Sequence, residues 1–226
     1  MAMPFKTTDR VPPDARRIAF PGSFDPVNVA HIHMLAKMAD TTDGTIRVIV
    51  LHRPKQKSVP RLLELDNAAR LFALALPDPL APRVEVATSN SIKTLFRSLA
   101  RDVTHVVRGV RERDGQKLRE QIVAGTLTAA SVIGAHHAFR VVLLRQDAPY
   151  DAVSSRLIRR AINRGGAVLK QARPLMPEVV ADVLAETRRH IRPTRSPQAL
   201  ADFNVALRET IATMPPTAAT LLVLNR

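Results

Sequence analysis

The stretch Ile18-Ala19-Phe20-Pro21-Gly22-Ser23-Phe24-Asp25-Pro26, followed by His31, decides the fold of this chain. It starts as a short apolar run, turns through Gly-Ser and Asp-Pro, and reaches a histidine where a helix is predicted to begin. Such a strand–turn–helix junction offers unpaired backbone N–H groups and the positive end of a helix dipole. Gly22 lets a ligand approach the backbone closely, and His31 adds a hydrogen-bond donor. The stretch therefore predicts a phosphate-binding pocket at a strand end.

Short apolar runs alternate with helical patterns along the next 150 or so residues, which is typical of a parallel sheet with crossover helices. Strands are predicted at 17–20, 45–51, 83–87, 104–107 and 139–144. Helices are predicted at 29–40, 62–76, 91–101, 116–130, 155–164, 177–189 and 198–212. The expected fold class is α/β: a Rossmann-like, doubly wound, parallel five-stranded sheet with C-terminal helices.

The prolines divide the chain into three parts. Residues 1–16, which contain Pro12-Pro13, are predicted to be a disordered leader, and residues 17–190 are predicted to be one domain. Residues 191–226 are predicted to be a C-terminal helical extension. Leu200, Phe203 and Leu207 lie at helical spacing there, which indicates a packing or oligomer-contact helix, so a homo-oligomer is expected.

Composition narrows the class of protein and of ligand. The 226 residues are 46% apolar and contain no cysteine, which excludes disulfides and thiolate zinc sites and suits a cytoplasmic protein. There is no apolar run of membrane-spanning length, and the polar N-terminus does not resemble a signal peptide. The net charge of +14 favours anionic partners. Nucleic acid is the less favoured of these, because only 4% of residues are aromatic and none is tryptophan.

Basic or phosphate-cradling residues follow four of the five predicted strands, at the end of the sheet where ligands bind in such folds. They are Gly22 and Ser23 after the first strand, Lys55 and Lys57 after the second, Arg108 to Arg111 after the fourth, and 150–156 with Arg159 after the fifth. This convergence predicts one polyanion site. His33 lies about 200° around the helix from His31 and is interpreted as structural.

Three motifs together resemble the HxGH-superfamily nucleotidyltransferases, and most of all bacterial phosphopantetheine adenylyltransferase. They are Pro-Gly-Ser-Phe-Asp-Pro with Ala-His at 21–31, Val-Val-Arg-Gly-Val-Arg at 106–111, and Val-Ser-Ser at 153–155 before a helix. The resemblance covers about residues 16–190. It implies transfer of AMP from ATP to the phosphate of 4′-phosphopantetheine with release of pyrophosphate, in coenzyme A synthesis.

The resemblance also implies a role for each matching residue. His31 is the expected catalytic residue. The expected ATP-binding residues are Ser23, Phe24, His31, Gly109, Val110, Arg111, Tyr150, Val153, Ser154, Ser155 and Arg156. The expected acceptor-binding residues are Ser23, Lys55, Lys57 and Arg108. Mg²⁺ is expected to arrive with ATP, with no resident metal site on the protein.

Several positions depart from the family pattern. Ala30 stands where the family has glycine, Arg156 replaces a hydroxyl residue, and Arg119 falls on an acidic position. These departures leave a catalytically degraded nucleotide-binding paralogue as one alternative. Another alternative is a nicotinate or nicotinamide mononucleotide adenylyltransferase, because Ser-Ser-Arg-Leu-Ile-Arg at 154–159 resembles that branch.

Overall fold

One parallel sheet organises the protein. The computed structural model describes residues 7–51, 61–89, 103–110, 140–193, 196–215 and 219–223. The strands in these ranges are β1 (Thr7–Thr8), β2 (Arg17–Gly22), β3 (Thr45–Leu51), β4 (Val84–Ser89), β5 (His105–Val110), β6 (Arg140–Arg145) and β7 (Thr220–Val223). They lie in the order β1-β6-β5-β2-β3-β4-β7, and each pair of neighbours is parallel.

The helices of the described ranges cover this sheet and follow it in the chain. They are α1 (Val29–Ala39), α2 (Leu65–Leu74), α3 (Ser155–Arg164), α4 (Gly166–Ala172), α5 (Glu178–His190) and α6 (Pro197–Ala212). Short 3₁₀ turns lie at Ala81–Arg83, Tyr150–Ala152 and Arg173–Leu175. None of these helices is long and apolar enough to cross a membrane.

The predicted Rossmann-like, doubly wound α/β class is confirmed. From β2 the chain first runs outward through β3 and β4, and then returns to the other side of β2 to form β5 and β6. The strand order therefore reverses between β2 and β5. All five predicted strands are present, but the described sheet has seven, because β1 and β7 are added at its two edges. Both additions are too short to give a clear alternating pattern in the sequence.

The N-terminal residues differ from the disordered leader expected over 1–16. Thr7–Thr8 pair with Leu143 and Leu144 of β6. Val11 and Ala15 are buried in the hydrophobic core. The two prolines prevent regular structure here, but they leave these apolar side chains able to reach the core.

The C-terminal residues join the same core. α6 forms where a helix is predicted and buries Phe203, Leu207 and Ile211 against the rest of the domain. After it, β7 pairs with β4, so the expected helical extension ends in a sheet strand. The apolar Leu-Leu-Val sequence of β7 suits an edge position whose one face is covered.

The helix boundaries follow local signals closely where the residues are described. Gly165 has a φ of +69° and ends α3, as the sequence predicts. The short helix α4 was not expected, because it begins directly at Gly166. The helices predicted at 91–101 and 116–130 lie outside the described residues.

Candidate active site

A crevice opens between the carboxyl ends of β2 and β5. β2 pairs with β3 along its whole length, as far as Gly22 opposite Val50. With β5, in contrast, β2 pairs through Ile18 and Ala19, and no later residue of β2 continues this ladder in the described strands. Ligands of doubly wound folds bind at this reversal of strand order. We call this place the β2–β5 crevice.

Phe24 shapes the turn that leads out of β2. Its φ is +38°, uncommon for a residue with a side chain, and its ring is 2% exposed. The ring packs edge-on against His31 at 4.8 Å and against Phe72 at 4.7 Å, centroid to centroid. A Cβ atom on Gly22 would lie 2.6 Å from Phe24 Cζ. The structure thus gives Gly22 a packing reason, and it places the Phe24 side chain in the core beneath the predicted site.

His31 is fixed in the first turn of α1 by a reciprocal capping box. The backbone N–H of His31 donates to Asn28 Oδ1 at 3.1 Å, and the backbone N–H of Asn28 donates to His31 Nδ1 at 3.2 Å. Because Nδ1 accepts, the neutral ring carries its proton on Nε2. His31 is half-buried at the carboxyl end of β2. The arrangement orients an Nε2–H donor on this helix end.

The N-terminus of α3 meets the N-terminus of α1. Ser154 caps α3 by accepting a hydrogen bond from Leu157 N–H, in agreement with its predicted N-cap position. The Ser155 hydroxyl donates to Pro26 O at 2.8 Å and accepts from Asn28 Nδ2 at 3.2 Å. The structure therefore gives Ser155 a positioning contact. Two positive helix ends converge here, which favours a bound anion.

A buried ion pair connects the same elements beneath the surface. Arg159 Nη1 donates to the Asp25 carboxylate at 3.2 Å and to the Asp25 carbonyl at 2.6 Å. The carboxylate also accepts from the N–H groups of Leu62 and Leu63. Asp25 is 0% and Arg159 4% exposed. From the sequence, Asp25 was read as a turn residue only, and a buried pair between distant positions leaves no local pattern to find.

The carboxyl end of β5 brings a cation to the crevice. Arg108 and Gly109 are exposed there, whereas the Val110 side chain is buried. A Cβ atom on Gly109 would lie 3.3 Å from Met34 Cε, so α1 packs closely over this end of β5. β5 and the α1 N-terminus are therefore neighbours, as the strand-end prediction requires.

Tyr150 is held against the opposite face of α1 from Phe24. Its ring stacks on His33 with centroids 4.2 Å apart and an interplanar angle of 21°. Asp147 accepts a hydrogen bond from Lys37 Nζ at 2.7 Å and contacts His33 Nε2 at 3.4 Å. The Lys37 hydrogen bond is the main cause that lowers the pKa of Asp147, with a smaller contribution from His33. His33 thus has a structural role, in positioning the predicted nucleotide-binding tyrosine.

The other predicted site residues have varied positions. Val153 is buried and Arg156 is exposed in the first turn of α3. Lys55, Lys57 and Arg111 lie outside the described residues. Within the ranges that the structure describes, no three His, Asp or Glu side chains come together as a possible metal site.

Comparisons with known proteins agree with this architecture. A model of the cytidylyltransferase-like family matches residues 19–161. Phosphopantetheine adenylyltransferase of Acidovorax sp. is 27% identical over 168 residues, covering 74% of this chain and 94% of the relative. The protein of that name from Clavibacter michiganensis is 29% identical over 177 residues, covering 76% and 98%.

Two solved structures share the fold at low identity. Thermotoga maritima TmcAL bound with alpha-thio ATP has a TM-score of 0.55 and 10% identity, over 77% of this chain and 56% of that one. A bifunctional NMN adenylyltransferase/ADP ribose pyrophosphatase from Francisella tularensis, complexed with AMP and a manganese ion, has a TM-score of 0.50 and 9% identity, over 84% and 52%. The chain thus spans about half the length of each.

Proposed function

Because this chain belongs to the cytidylyltransferase-like family, and is accordingly a nucleotidyltransferase, we propose that it transfers AMP from ATP to 4′-phosphopantetheine and releases pyrophosphate. The bacterial relatives that are named for this reaction support the choice of acceptor. The motifs at 21–31 and 106–111, which resemble the same branch, support it further.

The reaction needs positioning and charge stabilisation more than proton transfer. An oxygen of the acceptor phosphate attacks the α-phosphorus of ATP, and the bond from that phosphorus to the pyrophosphate oxygen breaks. The attacking phosphate is already anionic near neutral pH, so no general base is required. The protein has to hold two polyanions in line and stabilise charge on the α-phosphate. Mg²⁺ enters as part of the substrate Mg-ATP.

The observation that carries the proposal is the orientation of His31. Its Nδ1 is occupied by the Asn28 N–H, so the ring can present Nε2–H to an α-phosphate oxygen. The N-termini of α1 and α3, joined through Asn28 and Ser155, add their positive ends at the same place. A donor oriented in advance is worth most where charge increases during the reaction.

The two substrates are assigned to opposite sides of His31. On the acceptor side, Ser23 and Arg108 hold the phosphate, and Lys55 and Lys57 remain predicted contributors. On the nucleotide side, Gly109, Val110, Arg111 and the turn from Tyr150 to Arg156 hold ATP, with Phe24 and Ser155 acting through the packing and hydrogen bonds described above.

A mononucleotide acceptor is the second candidate. The segment 154–159, which includes the buried Arg159, resembles the nicotinate mononucleotide branch. A third outcome is nucleotide binding without turnover, as in a degraded paralogue.

Pyrophosphate release separates these candidates. Purified protein with Mg-ATP is given 4′-phosphopantetheine, nicotinate mononucleotide or nicotinamide mononucleotide in turn. We expect release with 4′-phosphopantetheine. Release only with a mononucleotide would overturn the acceptor assignment.

Nucleotide binding can be measured independently of turnover. The chain has one tyrosine and no tryptophan, so its intrinsic ultraviolet fluorescence comes from Tyr150. We expect Mg-ATP to change that emission and to raise the thermal midpoint, since a ligand that binds only the native state stabilises it. Neither change at roughly 1 mM ATP, the upper end of ordinary KM values, would contradict nucleotide binding altogether.

A further inference from the structure

A second cavity lies beside the carboxyl end of β3. It has a volume of about 560 Å³ and is lined by residues 61–66 and by Pro197, Leu200, Ala201 and Asn204 of α6. This volume is within the range of small-molecule sites. α6 lies beyond residue 161, where the family match ends, so one wall of the cavity is built by a part of the chain that the family model does not include.

Arg61 forms the inner end of this cavity. Its Nε donates to Leu63 O and its Nη1 to Leu51 O, the last carbonyl of β3. Its Nη2 is buried and has no hydrogen-bond partner among the residues described. Buried donors in folded proteins almost always have a partner. An oxygen atom of a ligand would supply the missing acceptor.

The charges around Arg61 are unbalanced. Asp25 is the carboxylate that favours its charged form, but the same carboxylate is bound by Arg159 and by two backbone N–H groups. Burial lowers the pKa of Arg61, and the positive charge of Arg159 lowers it further. Two guanidinium groups thus share one carboxylate in a poorly solvated place. An anion would complete this cluster.

The outer part of the cavity has different chemistry. Leu200 and Ala201 form an apolar wall, while the carboxylates of Glu64 and Asp66 are exposed at the rim. Glu64 is already paired with Arg208 at 3.0 Å. Only the buried end is cationic, so a ligand would enter with its anionic group first.

The cavity is close to the proposed acceptor side of the active site. Leu51 follows Val50, which pairs with Gly22 on the adjacent strand. Neighbouring strands lie about 5 Å apart, so the Arg61 guanidinium is about one strand away from the turn that begins at Gly22.

We propose that this cavity is a subsite for a phosphate or carboxylate group of the acceptor, bound through Arg61 Nη2 and enclosed by α6. The identity of the ligand as the acceptor rests on the proposed function. The anion-binding chemistry rests on Arg61 and its surroundings alone.

A charge substitution on the α6 wall tests the subsite without disturbing the core. Ala201 is exposed on α6, so Ala201→Glu and Ala201→Gln introduce side chains of equal size that differ in charge. We expect the Glu variant to bind inorganic phosphate and 4′-phosphopantetheine about tenfold more weakly than the Gln variant, by calorimetry. Equal affinities in the two variants would overturn the proposal.

Arg61→Gln tests the donor itself. We expect a loss of phosphate affinity of about tenfold or more, while Arg70→Gln, an exposed arginine on α2, binds phosphate like the wild type. Arg61 also bonds two backbone carbonyls, so if Arg61→Gln does not fold, the Ala201 pair decides the question. Folded Arg61→Gln with wild-type phosphate affinity would contradict the proposal, as would wild-type protein that binds no phosphate.

The outcomes also separate the subsite from the proposed function. Wild-type KM for 4′-phosphopantetheine in Arg61→Gln and Ala201→Glu would refute the subsite and leave the function intact. Arg61-dependent binding of inorganic phosphate by a protein that does not use 4′-phosphopantetheine would support the subsite and refute that acceptor. Mg-ATP affinity, read from Tyr150 fluorescence, should be unchanged in every variant.

Discussion

His31 is held from two directions, and the two contacts do different things. Asn28 fixes its backbone and Nδ1, which sets the tautomer. Phe24 packs edge-on against its ring, which sets the orientation. The family's usual residue before this histidine is glycine, and here Ala30 is 3% exposed. At the scale of single residues, the site depends on side chains that do not themselves react.

The role of His31 can be separated from helix capping. Glutamine is an ordinary partner in a capping box, so His31→Gln retains the cap and loses the imidazole. We expect kcat to fall roughly 10²–10³-fold, the scale for one preorganised donor, because the interaction strengthens in the transition state. Mg-ATP affinity from Tyr150 fluorescence should stay within about threefold. Unchanged kcat would remove His31 from the mechanism.

Arg108 has the opposite signature. It is exposed at the crevice, so Arg108→Ala should fold normally and lose a charge-assisted hydrogen bond to the acceptor phosphate. Such a bond is worth about 1.5–3 kcal/mol, or roughly 10- to 150-fold in acceptor KM. ATP binding should be nearly intact. Arg160→Ala, an exposed arginine of α3, is the control, and equal loss of both ligands in Arg108→Ala would refute the assignment.

At the scale of elements, Asp25 and Arg159 hold α3 against the turn after β2. The pair is desolvated, with side chains 0% and 5% exposed, and Asp25 also fixes the backbone of Leu62 and Leu63. Three segments from separate parts of the sequence therefore meet at one carboxylate. The geometry of the two helix N-termini depends on this junction.

Arg159→Met should be strongly destabilising. It leaves the Asp25 carboxylate buried with backbone donors but no positive partner, which costs about 3–5 kcal/mol of unfolding free energy. Urea denaturation measures this loss. The neighbouring Arg160→Met is exposed and should change stability by less than about 0.5 kcal/mol. Similar stability for the two variants would show that the pair contributes little.

At the scale of the whole molecule, α6 is coupled to the active site through Asn204. Its amide donates to Leu62 O at 3.0 Å, and its Oδ1 accepts from Glu64 N–H at 2.8 Å and from Asn67 Nδ2. Leu62 in turn bonds Asp25. A continuous polar chain thus runs from the C-terminal helix to the turn that precedes His31.

Asn204→Ala tests this coupling. Asn204 is 4% exposed, and its removal leaves buried backbone groups unpaired, so we expect a loss of about 1–3 kcal/mol in unfolding free energy. Glu209→Ala, exposed on the same helix, should differ from wild type by less than about 0.5 kcal/mol. If Asn204→Ala were as stable as Glu209→Ala, α6 would not be anchored by this residue.

The sequence by itself determined the α/β class, the strands β2 to β6, and the Ser154 cap. Each of these rests on a local signal: an apolar run of strand length, a helical spacing, or a hydroxyl at a helix start. The predicted convergence at the carboxyl end of the sheet also followed, because all parallel strands end at one edge. In the described part of the chain that prediction brings β2, β5 and the α3 N-terminus together.

The tertiary structure alone decided how the site is supported. The Asn28–Ser155 hydrogen bond joins residues 127 positions apart, and the Asp25–Arg159 pair joins residues 134 positions apart. No periodicity encodes such a pairing, because it depends on how elements pack and on which polar groups become buried together. For the same reason Phe24 was assigned to the ligand although its ring belongs to the core, and Arg61 was overlooked. Local patterns fix where elements form, and packing fixes which side chains of those elements meet.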